Sequence, residues 1–356
     1  MKFSKLGFSN IKVSKICLGT MTFGEQNTKR ESFEIMDYAN EKGVNFFDTA
    51  EMYPSYPKKE TYGMSEKIIG EWVKKKNNRD KIVIASKIAS NHPKGIGATK
   101  LSWIRKGGEN LKFNKKNLNQ AINQSLKRLK TDYIDLYQLH WPERNVPIFG
   151  QLDFEYTKNE KRWTPILEIL ENLQEVINSG KVRHIGISNE TPWGFLNFLN
   201  LAKEKKLPKI STIQNGYSLV NRIFDLANSE ISLREKCGLL AYSPLAGGRL
   251  SGKYIKNKNT EKSRYTLWPK RFSRHNTIRG EVAIKKYVQL SKKYNLKPSV
   301  FANAFVLNRP FLTSSIIGVT SLRQLNENLS SININFNEEM MRDVQNIHLS
   351  DPNPCY

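Results

Sequence analysis

The sequence predicts an α/β fold: a (β/α)₈ TIM barrel with an N-terminal hairpin and long loops on its C-terminal face. Three observations carry that expectation. Apolar runs of strand length alternate with segments of helical period, no linker-like stretch divides the 356 residues, and the long polar insertions follow strands. A doubly wound sheet is the alternative, but the Gly-rich nucleotide turn expected after its first strand is missing. One barrel domain over 1–356 is therefore expected.

The elements follow in order. Residues 2–13 can form a hairpin, and the strand candidates are 16–18, 44–47, 82–85, 133–139, 182–187, 210–213, 239–242 and 315–317. Thr28 and Glu31 make a candidate capping box, and Gly43 stands where that helix should stop. Leu118, Ile122, Leu126 and Leu129 share one face of a helix. Thr164-Pro165 reads as N-cap and first helical position, with Gly180 closing the helix, and Thr191-Pro192 repeats the device. Segments 90–112, 142–162 and 251–280 are too long and polar for tight connections, so they are expected at the barrel mouth as binding loops.

Composition narrows the class. With 38% hydrophobic residues the chain can bury a large core, and no apolar run approaches the ~20 residues of a membrane span. The first ten residues lack the apolar core of a signal peptide. Cys17, Cys237 and Cys355 are far apart and odd in number, so free thiols in a reducing cytoplasm are expected. The net charge of +24 could mark a nucleic-acid surface, but the excess lies in short lysine runs such as Lys74-Lys75-Lys76, Lys115-Lys116 and Lys292-Lys293. On helical segments these read as solvated faces, so neither nucleic acid nor membrane is expected as a partner, and no metal site is expected. Oligomeric state is not legible.

Polar residues at strand ends carry the chemistry. Asp48 ends the second strand candidate, Lys87 the third and His140 the fourth, with Tyr53 five residues beyond Asp48. Successive strand ends are neighbours in a closed barrel, so an acid, a base, an imidazole and a phenol converge on one mouth. Carbonyl reduction needs such a set: a proton must reach the oxygen as a hydride reaches the carbon, and a phenol of pKa ~10 is a poor acid near neutrality. A lysine ammonium beside it favours the phenolate, and a carboxylate holds that lysine charged. His140 can orient the carbonyl.

Gly19-Thr20-Met21, Phe47-Asp48-Thr49-Ala50-Glu51-Met52-Tyr53, Ala85-Ser86-Lys87, and stretches 132–142, 180–190, 213–215, 241–245 and 317–320 carry a resemblance over nearly the whole chain. The sequence resembles the aldo-keto reductase superfamily, most closely its Tas-like branch, related to the potassium-channel β-subunits. The resemblance implies NADPH-dependent reduction of a small aldehyde or ketone, with Asp48, Tyr53, Lys87 and His140 catalytic and Tyr53, His140 and Trp141 toward the substrate. It equally allows an NADPH-binding, redox-sensing accessory module with little turnover.

The same resemblance distributes the cofactor. Ser188, Asn189 and Gln214 would hold the nicotinamide carboxamide and Tyr242 would stack on the ring, with Gly19, Thr20, Met21 and Asp48 beside them. Ser243, Pro244, Leu245 and Gly247 would follow the pyrophosphate. The spacing from Gly247 to Lys253 fits a P-loop, but Tyr254 stands where a magnesium ligand should, so that reading fails. Thr320 or Ser321 opens a helix, with Gln324 placed for a capping box, and the helix N-terminus favours anions. Gly318, Thr320, Gln324, Glu327 and Asn328 would meet the adenosine end, with Lys253, Arg264 and Arg323 as partners of the 2′-phosphate. Many reductases of the superfamily carry a lysine where Gly318-Val319 stand, so the basis for choosing NADPH differs here.

Overall fold

A computed structural model of the protein describes residues 1–91, 102–105, 111–156, 163–256, 263–268 and 273–356. An antiparallel hairpin of β1 (Phe3–Lys5) and β2 (Lys12–Ser14) precedes the barrel. Then come β3 (Ile16–Gly19), α1 (Lys29–Glu41), β4 (Phe46–Asp48), α2 (Met64–Lys76), β5 (Val83–Ile88), α3 (Lys115–Leu129), β6 (Ile134–Leu139) and α4 (Ile166–Asn178). The second half runs β7 (Val182–Ser188), α5 (Pro192–Glu204), β8 (Thr212–Gly216), α6 (Ile223–Ala227), α7 (Ser229–Arg234) and β9 (Gly238–Tyr242). It continues with α8 (Lys253–Lys256), α9 (Arg264–Leu267), α10 (Ile278–Lys293), α11 (Pro298–Leu307), β10 (Leu312–Gly318), α12 (Leu322–Ser330) and α13 (Glu338–Ser350). Strands β3 to β10 pair in parallel and close, β10 lying beside β3. The expected (β/α)₈ barrel is the fold.

Why these segments form these elements is mostly local. Thr28 caps α1 from both sides of its box, accepting from Glu31 N while the Glu31 carboxylate accepts from Thr28 N. Leu118, Ile122 and Leu129 are buried on one face of α3. Thr191 caps α5 ahead of Pro192. One expectation shifts: Pro165, not Thr164, holds the cap position of α4, because Thr164 is taken by Glu143, whose carboxylate accepts from Thr164 N at 2.8 Å and from Thr164 Oγ1 at 3.1 Å. Strand bounds shift too. β5 runs on through Ser86 and Lys87, and β8 covers Gln214 to Gly216, because their backbones keep pairing with β6 and β9 whatever their side chains are.

Among the described residues the core has two layers about the strands and a separate cluster around Ala50, Met52, Ala89 and Trp141. The larger lies between strands and helices, where Ile84, Tyr137 and Ile213 meet Trp72, Leu170 and Phe198. The smaller fills the barrel: Cys17, Phe46, Val83, Ala85, Leu136, Leu240 and Ile316, joined by Leu6 and Val13 of the hairpin. The hairpin thus plugs one end of the barrel. Gly7 makes the plug fit, since at φ +57° it packs so close that an added Cβ would stand 2.0 Å from Ser211 O. Access is left at the opposite, C-terminal end. The three lysine runs are exposed on α2, α3 and α10, as solvated helix faces should be. Among the described residues no helix is long and apolar enough to cross a membrane.

Candidate active site

The C-terminal ends of the strands open on a cavity of about 490 Å³, a size suited to a small-molecule site. Its wall includes Asp48, Tyr53, His140 and Trp141 together with every cofactor candidate read from the sequence, from Gly19, Thr20 and Met21 to Thr320, Arg323, Gln324, Glu327 and Asn328. Lys87 alone of the candidates is not on the wall. It lies behind it, with no exposed surface.

Lys87 is fixed by its register on β5. Its ammonium donates to Asp48 Oδ2 at 2.6 Å and to Thr49 O at 2.7 Å, and sits 5.0 Å from the centroid of the Tyr53 ring. Asp48 Oδ1 accepts from the amides of Gln214 at 2.8 Å and Gln138 at 3.2 Å. Gln138 was hidden inside an apolar strand pattern. It also accepts from Gln214 Nε2 at 3.1 Å, so β4, β5, β6 and β8 are tied by one buried polar network. Burial works against the Lys87 charge, but Asp48 and then Tyr53 outweigh it and raise the ammonium's pKa.

Tyr53 stands edge-on to His140, ring centroids 5.7 Å apart. Burial pushes the Tyr53 phenol above its ordinary value of 10, and the Lys87 ammonium pulls it back only in part. Lys87 therefore acts in the expected direction, yet desolvation is larger and the group stays a phenol. Burial, then Lys87, hold His140 well below its ordinary 6.5, so it is a neutral imidazole, and its buried Nδ1 has no hydrogen-bond partner among the described residues. Trp141 is anchored by Nε1 to Ser90 O at 3.0 Å.

The next strands extend the wall. Ser188 Oγ donates to Gln214 O at 2.8 Å, and Asn189 Nδ2 donates to His140 O at 2.9 Å and to Ser188 Oγ at 3.1 Å. Tyr242 Oη donates to Asn189 Oδ1 at 2.6 Å, fixing its ring at the end of β9. Beyond Ser243, Pro244 and Leu245, consecutive Gly247 and Gly248 have φ of +67° and +95°, a conformation that keeps the loop backbone bare. At the far end Ser321 caps α12, accepting from Gln324 N, while Gln324 Oε1 reaches back to Thr320 N at 2.9 Å. Of the two cap candidates, Ser321 is the cap. Glu327 accepts from Ser299 and Lys297, and Asn328 from Asn303 at 3.0 Å, so these polar groups are steadied by α11 and its N-terminus. Lys253 and Arg323 have no carboxylate within ion-pair distance among the described residues.

A sequence model of the Aldo/keto reductase family matches residues 15–348. The chain belongs to that family. It is 39% identical over 351 residues to Protein tas of Escherichia coli, covering 98% of each chain. An aldo-keto reductase of Babesia bovis is 37% identical over 75% of this chain and 96% of its own. The uncharacterized oxidoreductase YrpG of Bacillus subtilis is 31% identical over 98% of this chain and 96% of its own. This aldo-keto reductase is accordingly an oxidoreductase, and the general chemistry of its family is reduction of small carbonyl compounds with a nicotinamide dinucleotide.

The insertions are partly visible. Residues 142–156 of the second lie over the cavity through Phe149, whereas 92–101, 106–110, 157–162, 257–262 and 269–272 of the three lie outside the described residues. Sequence reasoning passed over Arg105, Phe149 and Arg274, all within or after these insertions, where no periodicity marks a residue for attention.

Proposed function

We propose that this aldo-keto reductase reduces aldehydes and ketones to alcohols with NADPH, Tyr53 being the general acid. The observation that carries the reading is the buried Lys87 ammonium, held by Asp48 and Thr49 O beside a phenol on the cavity wall. When a proton leaves Tyr53 Oη for the carbonyl oxygen, the phenolate left behind is stabilised by that fixed charge in a low-dielectric setting. Asp48 keeps the lysine in place and protonated. His140, neutral and next to Tyr53 and Trp141, orients the carbonyl and does not compete for the proton.

The residues present fit a dinucleotide. Bound there, it supplies the hydride to the carbonyl carbon. Ser188, Asn189 and Gln214 would take the carboxamide, Tyr242 the face of the ring, and the bare backbone around Gly247 the pyrophosphate. The α12 end, with Thr320, Gln324, Glu327 and Asn328, would take the adenosine, and Lys253, Arg264 and Arg323 the 2′-phosphate. Lys253 and Arg323, without a carboxylate partner among the described residues, beside a capped helix N-terminus support NADPH over NADH. Residues 1–356 act as one catalytic domain in this reading, since the C-terminal end returns to the barrel through Cys355 N to Val220 O at 3.1 Å. Three free, buried cysteines fit a reducing cytoplasm.

The test is Tyr53→Phe, which removes the proton and keeps the ring. Turnover of a carbonyl panel should fall about 10²–10⁴-fold while NADPH affinity is held. A variant with wild-type turnover would remove Tyr53 from this role, and equal wild-type affinity for NADPH and NADH would remove the 2′-phosphate assignment.

A further inference from the structure

We propose that Arg274 makes the reacting end of the cavity a receptor for an anionic group, so that the preferred substrate is a carbonyl compound with a carboxylate on a flat, apolar body. The inference rests on the carbonyl-reduction reading and narrows its substrate class.

Arg274 lines the cavity, and the two rings that flank its guanidinium fix which end it serves. Its Cζ is 5.6 Å from the centroid of Tyr242 and 5.8 Å from that of Phe149. Tyr242 leads to His140 through Asn189, which accepts from the Tyr242 hydroxyl and donates to His140 O. Phe149 leads there through Trp141, edge-on at 6.1 Å, whose ring lies 4.5 Å from that of His140. Arg274 thus closes a wall whose other members surround the candidate acid. Of the cations suited to phosphate, Lys253 opens α8 and Arg323 lies at the start of α12. Arg264 stands near enough to Arg274 for their charges to oppose each other, so NADPH affinity is the measurement that separates the two roles.

Among the described residues the charge of Arg274 has no ion-pair partner, although the C-terminal Tyr356 carboxyl shares its neighbourhood across Gly150. Several arginines drawn into the protein have acids: Arg79 has Asp135, Arg128 has Glu66, Arg144 has Glu190 and Arg222 has Asp225. Arg249, also half-buried, donates to Asn276 Oδ1 and has no carboxylate partner among the described residues, but it does not line the cavity. Half-buried Arg274 has no carboxylate within 4 Å among the described residues, and its nitrogen partner is His275 Nε2 at 3.2 Å. Burial and then Arg274 itself hold His275 well below its ordinary range, so it brings no negative charge. A guanidinium held against aromatic faces keeps its planar donors free for a two-oxygen acceptor, the geometry a carboxylate presents. Tyr53, Trp141 and Phe149 supply apolar surface for a planar body between that carboxylate and the reacting carbonyl.

The test pairs charged and neutral substrates of similar shape and electron demand: 3- and 4-formylbenzoate against the corresponding formylbenzamides, with NADPH in excess. For at least one isomer the wild-type kcat/KM should favour the carboxylate by about ten- to a hundred-fold, and added salt should narrow the gap. Arg274→Met should bring the ratio near one, and Arg274→Lys should restore part of it. NADPH titration of each variant reports folding and cofactor affinity together. Equal wild-type use of acid and amide would overturn the proposal. So would a ratio unmoved by Arg274→Met, or a loss of NADPH affinity as large as the loss of acid turnover. If the wild type reduced none of the four aldehydes, the carbonyl-reduction reading would be at fault. Calorimetry on the NADP⁺-loaded protein would then decide the anion receptor alone. A preference for the hydroxymethylbenzoates over their amides that vanishes in Arg274→Met would support it, and equal binding would overturn it.

Discussion

Two ion pairs, three residues apart on the same stretch of chain, show what makes a buried charge useful. Asp48–Lys87 and Glu51–Arg105 are both shut away from solvent. Asp48 spends its second oxygen on two amides, its lysine has a third partner in Thr49 O, and beside them a phenol faces the cavity. Glu51 Oε1 accepts from Arg105 and from Ala89 N at 2.7 Å, but Oε2 has no partner among the described residues. Around Glu51–Arg105 stand apolar Ala50, Met52, Ala89 and Ile104, and the phenols of Tyr62 and Tyr137 feel its charges, but neither phenol lines the cavity. One pair is set in the barrel's own strands and borders the cavity. The other is sealed, and ties residue 105 of an insertion to the strand ends through Ala89 O. Burial is therefore common to both pairs, and what distinguishes Asp48–Lys87, the pair proposed to be catalytic, is a titratable neighbour that opens on a cavity.

The largest expected effect separates the pairs by activity. Lys87→Met should lower turnover about 10²–10⁴-fold, because the phenolate then forms without a facing charge. Lys87 lowers the Tyr53 pKa, so its loss should also move any alkaline limb of the rate profile, already expected above pH 10, upward. Rates across pH in the variant and the wild type check both, and full activity with an unmoved limb would make Lys87 structural.

The next effect separates them by stability. Arg105→Met leaves Glu51 charged, buried and held by one backbone amide, which should cost about 3–5 kcal/mol in urea unfolding. Lys87→Met should cost less, because Asp48 keeps both glutamine amides. Folded Arg105→Met should retain the wild-type alkaline limb. Adding Glu51→Gln to Arg105→Met should recover much of the loss, since no unpaired charge remains. If Lys87→Met proved the more destabilised of the two, the sealed and open pairs would not differ as argued.

The same contrast explains what could be read from the sequence. Asp48 and His140 stand where apolar strand patterns stop, and a barrel makes such stops neighbours, so the open site was legible. Lys87 was legible for the same reason although it lies inside β5, because polarity was mistaken for the strand's end without changing the group it joins. Gln138 was not legible: within six buried residues of β6 a single amide looks like a tolerated exception until Asp48 and Gln214 are beside it. Arg105 and Arg274 were not legible either. Their partners, Glu51 at one site and Tyr242 with Phe149 at the other, are distant in sequence, and insertions have no period from which to infer a facing residue. Thr164 failed for a related reason, its local capping role displaced by the remote Glu143.

The smallest effect tests how far the open pair's charge reaches. His140 is held well below its ordinary 6.5 by burial first and by Lys87 second, and no other group contributes to that shift. In the unfolded chain it takes up a proton near pH 6.5, whereas in the folded protein it stays neutral. Below that pH the unfolded state binds more protons, so stability falls as pH drops and continues to fall until the folded value is reached. The His140 share is the difference between the wild type and His140→Gln, which cancels the similar contribution of His275. Removing Lys87 raises the folded value of His140 and ends the window sooner, so in a Lys87→Met background that share should be smaller. In an Arg105→Met background it should match the wild type, because a sealed pair exerts no pull on His140. Urea unfolding between pH 7.5 and 5 measures each slope. An undiminished His140 share in Lys87→Met would mean that burial alone keeps the imidazole neutral, and that the open pair acts on Tyr53 but not on the second group of the site.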